Sequence, residues 1–254
     1  MKISIITVSY NSAKTIEDTI VSVVGQSYPD IEYIIIDGGS TDETLNIVRK
    51  YIDGSTNPSK MVIKVVSEND NGMYDAMNKG IKLATGDIVG ILNSDDIYAS
   101  NEVVRIVAET FVRDVSDCIW GDLVYVDRNN PGKVTRKWES SSYEEGNFQK
   151  GWHPPHPTFF VKRGVYERYG SFRTDLRTSA DYELMLRFLE KNKITSSYVP
   201  QILVRMREGG KSNGSYVTWI RANLGCYKAF GINGLKIDPL FIIRKPLSKL
   251  KQFR

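Results

Sequence analysis

The first hundred residues alternate between short apolar runs and longer stretches in which apolar side chains recur every three or four positions. The apolar runs predict buried strands at residues 3–8, 33–37, 61–67 and 87–92. The intervening stretches predict amphipathic helices over residues 12–26, over Leu45 to Ile52 after a cap at Thr41 or Asp42, and over residues 72–84. This rhythm of strand and helix is typical of an α/β fold with a mostly parallel sheet.

Polar side chains follow each predicted strand. They are Tyr10 and Asn11 after the first strand, Asp37 at the end of the second, Asp70 after the third, and the pair Asp95 and Asp96 after the fourth. In an open parallel sheet the ligand crevice lies beyond the carboxyl ends of the strands, so these side chains are expected to converge on one cleft. Taken singly, Asn and Asp at such positions are also common turn formers and helix caps, and that reading stays open for Asn11, Asp37 and Asp70.

The adjacent carboxylates Asp95 and Asp96 are harder to explain as turn formers. Two neighbouring negative charges repel each other unless a cation lies close by, and carboxylate oxygens are the ligands that hard divalent cations prefer. The turn after the first strand lacks the Gly-x-Gly-x-x-Gly of dinucleotide-binding proteins, and no Gly-x-x-x-x-Gly-Lys-Ser/Thr phosphate loop occurs. A bound nucleotide diphosphate would therefore need a divalent cation to neutralise much of its charge.

Charge and length narrow the class of protein. The chain has 254 residues, 41% of them hydrophobic, which is enough for one packed domain over residues 1–235. The net charge of +4 belongs to residues 236–254, which carry six Lys or Arg against one Asp, so a nucleic-acid-binding face within the domain is disfavoured. Cys118 and Cys226 are too far apart for a Cys-x-x-Cys pair and are expected to be buried apolar residues. No apolar run reaches the roughly 20 residues that span a bilayer, and a cytoplasmic location is expected.

A set of short motifs occurs in order and with matching spacing. They are Thr7-Val8-Ser9-Tyr10-Asn11, Asp37-Gly38-Gly39-Ser40-Thr41-Asp42, Gly72-x-Tyr74-Asp75-Ala76-x-Asn78-Lys79-Gly80, Ala84-Thr85-Gly86-Asp87 and Asn93-Ser94-Asp95-Asp96, followed more loosely by Gly121-Asp122, His156-Pro157-Thr158-Phe159-Phe160, Ser179-Ala180-Asp181-Tyr182-Glu183 and Gly209-Gly210-x-Ser212. Together they resemble glycosyltransferase family 2. The resemblance implies the GT-A fold, with a Rossmann-like nucleotide-binding half at residues 1–98 and an acceptor-binding half at residues 99–235. It also implies inverting sugar transfer from a nucleotide donor, commonly a uridine diphosphate sugar, with Mn²⁺ or Mg²⁺.

The resemblance also assigns donor and metal residues. Asp95 matches the last acidic position of the family's Asp-x-Asp element and is expected to bind the metal, with Asp96 beside it. The first position of that element is Asn93 in this chain, a departure that leaves ribose or phosphate as its expected contact. Asp37 matches the position that reads the uracil ring. The remaining expected donor contacts are Thr7, Val8, Tyr10, Asn11, Asp70, Asn78, Lys79 and Ser94; Lys79 can equally be an ordinary solvated lysine.

Inversion by a single displacement needs a general base beside the attacking hydroxyl. Asp181 is the expected catalytic base, since its Asp-Tyr-Glu context resembles the base motif of the family, and Glu183 is the fallback. The alternative for Asp181 is a purely structural role near the amino terminus of a helix. His156 and Trp152 are expected to contact the acceptor, with His153 beside them, although a structural histidine at position 156 remains an open alternative.

The last nineteen residues combine an apolar stripe with cations, and we expect them to form a helical tail. Such a tail suits the surface of an anionic bilayer, where a polyprenyl-diphosphate-linked glycan for surface polysaccharide is the acceptor that the resemblance implies. The enzyme would then lie on the inner face of the cell membrane. The alternative is a helix packed on the catalytic domain. Two other functions stay open: a nucleotide-sugar pyrophosphorylase, and a GT-A protein that binds the nucleotide sugar without catalysis.

Overall fold

The computed structural model describes residues 1–52, 61–209, 216–241 and 245, and shows the side chains of the helix that begins at Tyr216 only from residue 221 onward. Within those residues, nine strands form one sheet. The predicted mixed α/β fold with a mostly parallel sheet is confirmed.

The first half supplies the parallel strands of the sheet. Its elements are β1 (Ile3–Ser9), α1 (Ile16–Val24), β2 (Ile31–Asp37), α2 (Thr44–Ile52), β3 (Ile63–Ser67), α3 (Met73–Leu83) and β4 (Ile88–Ile91). Parallel registers place Ser9 opposite Asp37 and Asp37 opposite Ser67, so three strands end side by side. The loops that follow them therefore start from one edge of the sheet, as the sequence predicts.

Helix α1 is shorter than the predicted span of residues 12–26. Asn11 adopts a left-handed backbone with a φ of 50°, and the Ser12 carbonyl accepts hydrogen bonds from the amides of Thr15 and Ile16. These bonds close a separate turn, so the regular helix begins only at Ile16. Helix α2 begins at Thr44, whose amide donates to the Asp42 carboxylate, in agreement with Asp42 as one of the two predicted caps.

The second half extends the sheet with mostly antiparallel pairs. It contains β5 (Asp96–Tyr98), α4 (Val103–Asp114), β6 (Cys118–Val126), β7 (Val134–Trp138), β8 (Phe160–Lys162), α5 (Arg163–Tyr169), α6 (Ala180–Met185), β9 (Ser196–Arg207) and α7 (Tyr216–Ile232). The strands of the sheet follow the order β3-β2-β1-β4-β8-β6-β9-β5, with β7 paired to β6. Strand β8 pairs antiparallel with β4 and β6, whereas β6 and β9 run parallel. Helix α6 continues into a wider turn over Leu186–Lys191. This arrangement brings α6 of the second half against the loops of the first.

The core lies in two layers, one on each face of the sheet. One contains Ile6, Val8 and much of α6 and α7, and the other contains Ile3, Ile5 and the inner faces of α1 and α4. Both cysteines are free and buried, as predicted. In the parts of the chain that the structure describes, no helix combines the length and the apolar character needed to cross a bilayer.

The start of the predicted tail belongs to the packed body. Phe241 is only 1% exposed, and its ring lies 5.2 Å from that of Phe230 and 6.3 Å from that of Tyr182. Lys245 is also buried, with its ammonium group 4.0 Å from the centre of the Tyr182 ring. The packed body therefore continues past the predicted boundary at residue 235. Residues 242–244 and 246–254, which hold most of the predicted tail, lie outside the described residues.

Candidate functional site

The loops after β1, β2 and β3 interlock at the carboxyl edge of the sheet. The Asn11 carboxamide oxygen accepts the amide of Thr41 at 2.9 Å, which ties the first loop to the second. A Cβ at Gly38 would come within 2.3 Å of an Asp70 carboxylate oxygen, so the second loop can approach the third this closely only because position 38 is a glycine. The other Asp70 oxygen accepts the amide of Gly72 at 2.8 Å. The predicted convergence of these polar residues is thus present in the structure.

Asp37 is fully buried and holds this edge together. Its carboxylate accepts five hydrogen bonds from neighbouring groups: the hydroxyls of Ser9, Ser40 and Ser67 and the amides of Gly39 and Ser40, at 2.5–3.2 Å. Such a set satisfies a buried carboxylate, which would otherwise be costly. In this conformation the Asp37 carboxylate is engaged with β1, β3 and the loop over residues 38–40, and its contact with a uracil ring stays a prediction.

The remaining predicted residues of β1 and its loop separate into buried and exposed ones. Thr7 is buried and its hydroxyl accepts from the phenol of Tyr33 at 3.1 Å, while Val8 packs in the core. Tyr10, by contrast, is 55% exposed at the mouth of the cleft. Direct contact with a ligand is therefore expected from Tyr10 and Asn11, with Thr7 and Val8 forming the floor beneath them.

Asn78 and Lys79 on α3 bind neighbouring protein groups. The Asn78 carboxamide donates to the Phe172 carbonyl at 2.8 Å and accepts the Phe172 amide at 2.9 Å, so both ends of the amide are engaged. The ammonium group of Lys79 forms an ion pair with Glu68 at 2.8 Å and donates to the Asn69 carbonyl at 3.1 Å. The hydrogen bond that Lys79 donates to Glu68 raises the pKa of Lys79 above its usual value. Lys79 therefore remains a cation at the rim of the third loop.

The fourth loop presents the two adjacent carboxylates in different surroundings. Asp96 is 1% exposed and begins β5, whereas Asp95 is partly exposed. Burial, and after it the charge of Asp95, raises the pKa of Asp96 well above its usual value, although the Asn93 amide and Arg207 oppose the rise. Ser94 is buried, with its hydroxyl 2.8 Å from that of Ser12. The loop is therefore anchored on both sides of Asp95.

Arg207 braces this loop from the end of β9. The residue is 3% exposed, its guanidinium donates to the Asp95 carbonyl at 3.0 Å, and it forms an ion pair with Asp18 on α1. Its Nε atom is buried without a hydrogen-bond partner among the described residues. No pattern in the sequence singles out Arg207, because its two contacts lie 112 and 189 positions away.

The oxygen groups of the fourth loop fit a hard divalent cation. Besides the two carboxylates, the Asn93 carboxamide oxygen is buried and, among the described residues, has no hydrogen-bond partner. Oxygen ligands of this kind suit Mg²⁺ or Mn²⁺. Over residues 1–52, 61–209 and 216–241, however, no three His, Cys, Asp or Glu side chains gather as one metal-binding cluster. A cation at this loop would therefore need waters or ligand phosphates to complete its coordination.

Asp181 lies near the amino end of α6, held between two side chains. Its Oδ1 accepts the phenol of Tyr74 at 3.1 Å, and its Oδ2 lies 3.5 Å from Nδ1 of His156. Asp181, His156, Tyr74 and Asn93 line one cavity of about 50 Å³. The structure thus brings the predicted base, one predicted acceptor residue and one predicted donor residue to the same space. Two larger hollows, of about 560 and 680 Å³, lie at the opposite edge of the sheet and contain none of the predicted site residues.

Glu183, the fallback base, faces the protein interior. It is 1% exposed, forms an ion pair with Arg187 at 3.0 Å and accepts the Asn233 carboxamide at 3.0 Å. Because its carboxylate is enclosed and partnered, it has no access to an attacking hydroxyl. Glu183 is therefore a structural residue in this conformation, and Asp181 is the carboxylate of this motif that faces the cavity.

Trp152 and His153 pack into an aromatic cluster. The Trp152 ring lies 5.8 Å from both Trp120 and Phe148, and its indole N–H is buried without a partner among the described residues. His153 lies edge-on to Trp138 and Tyr182, at 5.1 and 5.4 Å. In this conformation both residues are half-buried, and the contacts of their rings with these neighbours are edge-on.

The sequence of this chain is similar to those of known glycosyltransferases. The model of glycosyl transferase family 2 matches residues 4–169, which include the four loops but not Asp181. A PGL/p-HBAD biosynthesis glycosyltransferase of Mycobacterium bovis (strain BCG / Pasteur 1173P2) is 28% identical over 212 residues, 83% of this chain and 78% of that protein. An uncharacterized glycosyltransferase of Mycobacterium tuberculosis (strain CDC 1551 / Oshkosh) is 33% identical over 194 residues, 73% of this chain and 68% of its own length.

Solved structures with a similar fold cover nearly the whole chain. Residues 1–349 of TarS from S. aureus, in complex with UDP-GlcNAc, align with a TM-score of 0.69 at 20% identity, over 96% of this chain and 69% of that one. The mannosyltransferase PcManGT from Pyrobaculum calidifontis, in complex with GDP-Man and Mn²⁺, aligns with a TM-score of 0.67 at 21% identity, over 98% and 69%. At these identities the likeness speaks for the fold alone. Since the family model spans more than half of the sequence, including every loop of the cleft, the chain belongs to glycosyl transferase family 2, and its fold is GT-A.

Proposed function

We propose that this protein transfers a sugar from a uridine diphosphate sugar to a hydroxyl group of an acceptor glycan, with inversion at the anomeric carbon. The cavity that Asn93, His156 and Asp181 line together carries the proposal. In it, a loop expected to hold a nucleotide diphosphate faces a carboxylate that is open to the same space. A single displacement needs these two features on opposite sides of the reacting carbon.

The proposed donor site follows the four loops. Tyr10 and Asn11 contact the base and ribose, and Asp37 shapes the loop that reads the uracil ring. Asp70, Lys79, Asn93 and Ser94 line the path toward the diphosphate, while Thr7, Val8 and Asn78 support it from beneath. The complexes of TarS with UDP and with UDP-GlcNAc support a uridine nucleotide. The complex of PcManGT with GDP-Man makes GDP-mannose the competing donor to test.

Asp95 and Asp96 are the proposed ligands of a divalent cation, Mn²⁺ or Mg²⁺. Such a cation, when bound, stabilises the negative charge that develops on the departing diphosphate. Arg207 keeps the backbone of Asp95 in place from behind, and its contact is with the carbonyl, so the Asp95 side chain stays available. The unpartnered Asn93 oxygen supports the same assignment.

Asp181 is the proposed general base. As the acceptor oxygen forms its bond to the anomeric carbon, the bond from that carbon to the diphosphate oxygen breaks, and the hydroxyl proton passes to the Asp181 carboxylate. His156, 3.5 Å away and 30% exposed, is the proposed contact with the acceptor. Trp152, half-buried in its aromatic cluster, is proposed as a second acceptor contact.

The test is a screen of nucleotide sugars for donor turnover with Mn²⁺, with Mg²⁺ and with a chelator. We expect turnover of a uridine diphosphate sugar that the chelator abolishes. Asp181→Asn should lower kcat by about 100-fold or more while donor affinity stays nearly unchanged. Full activity of Asp181→Asn would refute the assignment of the base, and donor binding without any turnover would favour a non-catalytic nucleotide-sugar-binding protein.

The proposal extends to the acceptor and its location. A polyprenyl-diphosphate-linked glycan would place the substrate at the inner face of the cell membrane, and the cations of residues 236–254 suit an anionic surface. Co-sedimentation with anionic vesicles at low and high salt tests this, comparing the full chain with one that ends at Lys245. This end point keeps Phe241, whose removal would damage the core. Equal binding by both chains would exclude a role for residues 246–254.

A further inference from the structure

The Tyr74 phenol connects the two halves of the protein at the site, and its role goes beyond the residues assigned so far. Tyr74 lies on α3 of the first half and is 6% exposed, while Asp181 lies on α6 of the second half, 107 positions away. Burial, and after it the Asp181 charge, raises the pKa of Tyr74 well above its usual value. The phenol therefore stays protonated at neutral pH and remains a hydrogen-bond donor to Asp181.

The ring that carries this phenol is held in place by a closed set of contacts. It stacks on Phe172 at 5.5 Å with an interplanar angle of 21°, and Asn78 clamps the Phe172 backbone through two hydrogen bonds. Arg187 donates to the carbonyls of residues 169–171 just before Phe172, and it is itself paired with Glu183 on the helix that carries Asp181. Helices α3 and α6 are therefore connected twice: through the contacts of Phe172 and Arg187, and directly through the hydrogen bond of Tyr74.

We propose that Tyr74 is a positioning residue, whose phenol fixes the Asp181 carboxylate so that Oδ2, and not Oδ1, takes the proton of the attacking hydroxyl. The inference rests on the proposed function of Asp181 as the base. Oδ1 is occupied by the phenol at 3.1 Å, whereas Oδ2 faces His156 at the longer distance of 3.5 Å. With Oδ1 held, the plane of the carboxylate is set, and Oδ2 stays beside His156, which lines the same cavity as Asp181 and Asn93.

Two effects of the phenol on catalysis oppose each other. A hydrogen bond stabilises the charged form of a carboxylate and thus weakens it as a base, so its loss would by this effect raise the rate. Loss of positioning lowers the rate, because even small displacements of a catalytic group are costly. Because Tyr74 is buried and its ring is held by its neighbours, we expect the loss of positioning to outweigh the gain in basicity of Asp181. The rate should therefore fall when the phenol is removed.

The first measurement compares Tyr74→Phe with a matched control. Tyr51→Phe removes the phenol of another tyrosine that is only 5% exposed as a whole residue, and this phenol donates to the Glu17 carboxylate at the same 3.1 Å distance but between α1 and α2. Both changes keep the aromatic ring, so both variants are expected to fold, and denaturation measures the stability cost of each. We expect Tyr74→Phe to lower kcat roughly 10-fold with the donor KM within about twofold, and Tyr51→Phe to leave both constants unchanged.

The second measurement combines Tyr74→Phe with Asp181→Asn. If Tyr74 acts through Asp181, then adding Tyr74→Phe to the Asp181→Asn variant changes its residual kcat by less than about twofold, because the group being positioned is already absent. A merely structural defect would instead lower the residual rate about 10-fold again. Such a further loss in the double variant would overturn the inference. So would a Tyr74→Phe variant whose kcat is higher than that of the native chain, or equal to that of Tyr51→Phe. A fully active Asp181→Asn variant would show instead that the proposed base is wrong.

Discussion

Glu32 offers a test of stability that is independent of the catalytic site. It lies near the start of β2, 5% exposed, and accepts hydrogen bonds from Ser4 on β1, Lys64 on β3 and the backbone and side chain of Thr85 just before β4. One carboxylate thus joins the amino ends of four strands. Five residue-to-residue steps of extended chain, about 17 Å, separate it from Asp37 at the other end of β2.

The contribution of Glu32 to the unfolding free energy follows from its pKa. Burial alone would raise this pKa, but the hydrogen bonds from Lys64, Ser4 and Thr85 outweigh burial and lower the pKa from 4.5 to about 2. At about 1.4 kcal/mol per pKa unit, the shift corresponds to about 3 kcal/mol of unfolding free energy. Because the folded-state pKa is the lower one, this stabilisation is complete above about pH 5 and is lost as the pH falls toward 2.

The test compares the unfolding free energies of Glu32→Gln and the native chain, measured with urea from pH 7 down to pH 2.5. We expect the variant to be about 3 kcal/mol less stable at pH 7, with the difference from the native chain shrinking as the pH falls, since a protonated glutamate resembles glutamine. The control is Glu109→Gln, an exposed partner of Arg105 on α4, which should change stability by less than about 0.5 kcal/mol at any pH.

Activity completes the test of Glu32. At a temperature where both proteins are folded, Glu32→Gln should leave kcat and the donor KM unchanged, because the substituted group lies at the edge of the sheet opposite to the cleft. A stability difference that does not vary with pH would show that the charge of Glu32 is not its cause. A tenfold change in the donor KM of the folded variant would show that Glu32 affects the donor site as well as stability.

Three further substitutions test other parts of the account. Asp95→Asn should weaken Mn²⁺ binding, measured by calorimetry, with little change in unfolding free energy, and unchanged Mn²⁺ affinity would remove Asp95 from the metal site. Arg207→Lys should weaken donor binding about 10-fold, since an ammonium group cannot span Asp18 and the Asp95 carbonyl as a guanidinium does, and native affinity would contradict this. Phe241→Ala should lower unfolding free energy by about 3–5 kcal/mol, and a change below about 1 kcal/mol would show that Phe241 is not part of the core.

The sequence predicts the first half of the fold well, for a physical reason. Strands β1, β2 and β4 are buried on both faces and read as largely apolar runs. Because parallel strands end at a common edge, the residues after them meet whatever the details of packing. Because both faces of these strands are buried, the sequence shows no alternation of apolar and polar residues that would indicate which way each side chain points. Thr7 sits between Ile6 and Val8, and nothing in that run reveals that its hydroxyl points to Tyr33 within the core.

The second half of the site depends on contacts that the local sequence does not contain. Asp181 is predicted from its motif, but its partners Tyr74 and His156 come from distant segments and are set by how α6 packs against α3. Tyr74 belongs to one of the sequence motifs, so the sequence singles it out, but the motif does not indicate what its side chain does. Glu183 shows the limit of motif reasoning, because two carboxylates two residues apart on a helix point to different surroundings.

The two buried carboxylates of β2 show how this fold separates stability from function. Glu32 and Asp37 are each enclosed by hydrogen bonds, and by the criterion of burial both read as structural residues. They differ in what they hold, since Glu32 joins the starts of strands, whereas Asp37 orders the loop over residues 38–40 at the cleft. We therefore expect a substitution at Asp37 to disturb ligand binding and stability together, and one at Glu32 to disturb stability alone. A loss of activity at Asp37 is evidence for direct contact with the donor only when it exceeds what disordering of its loop would cause.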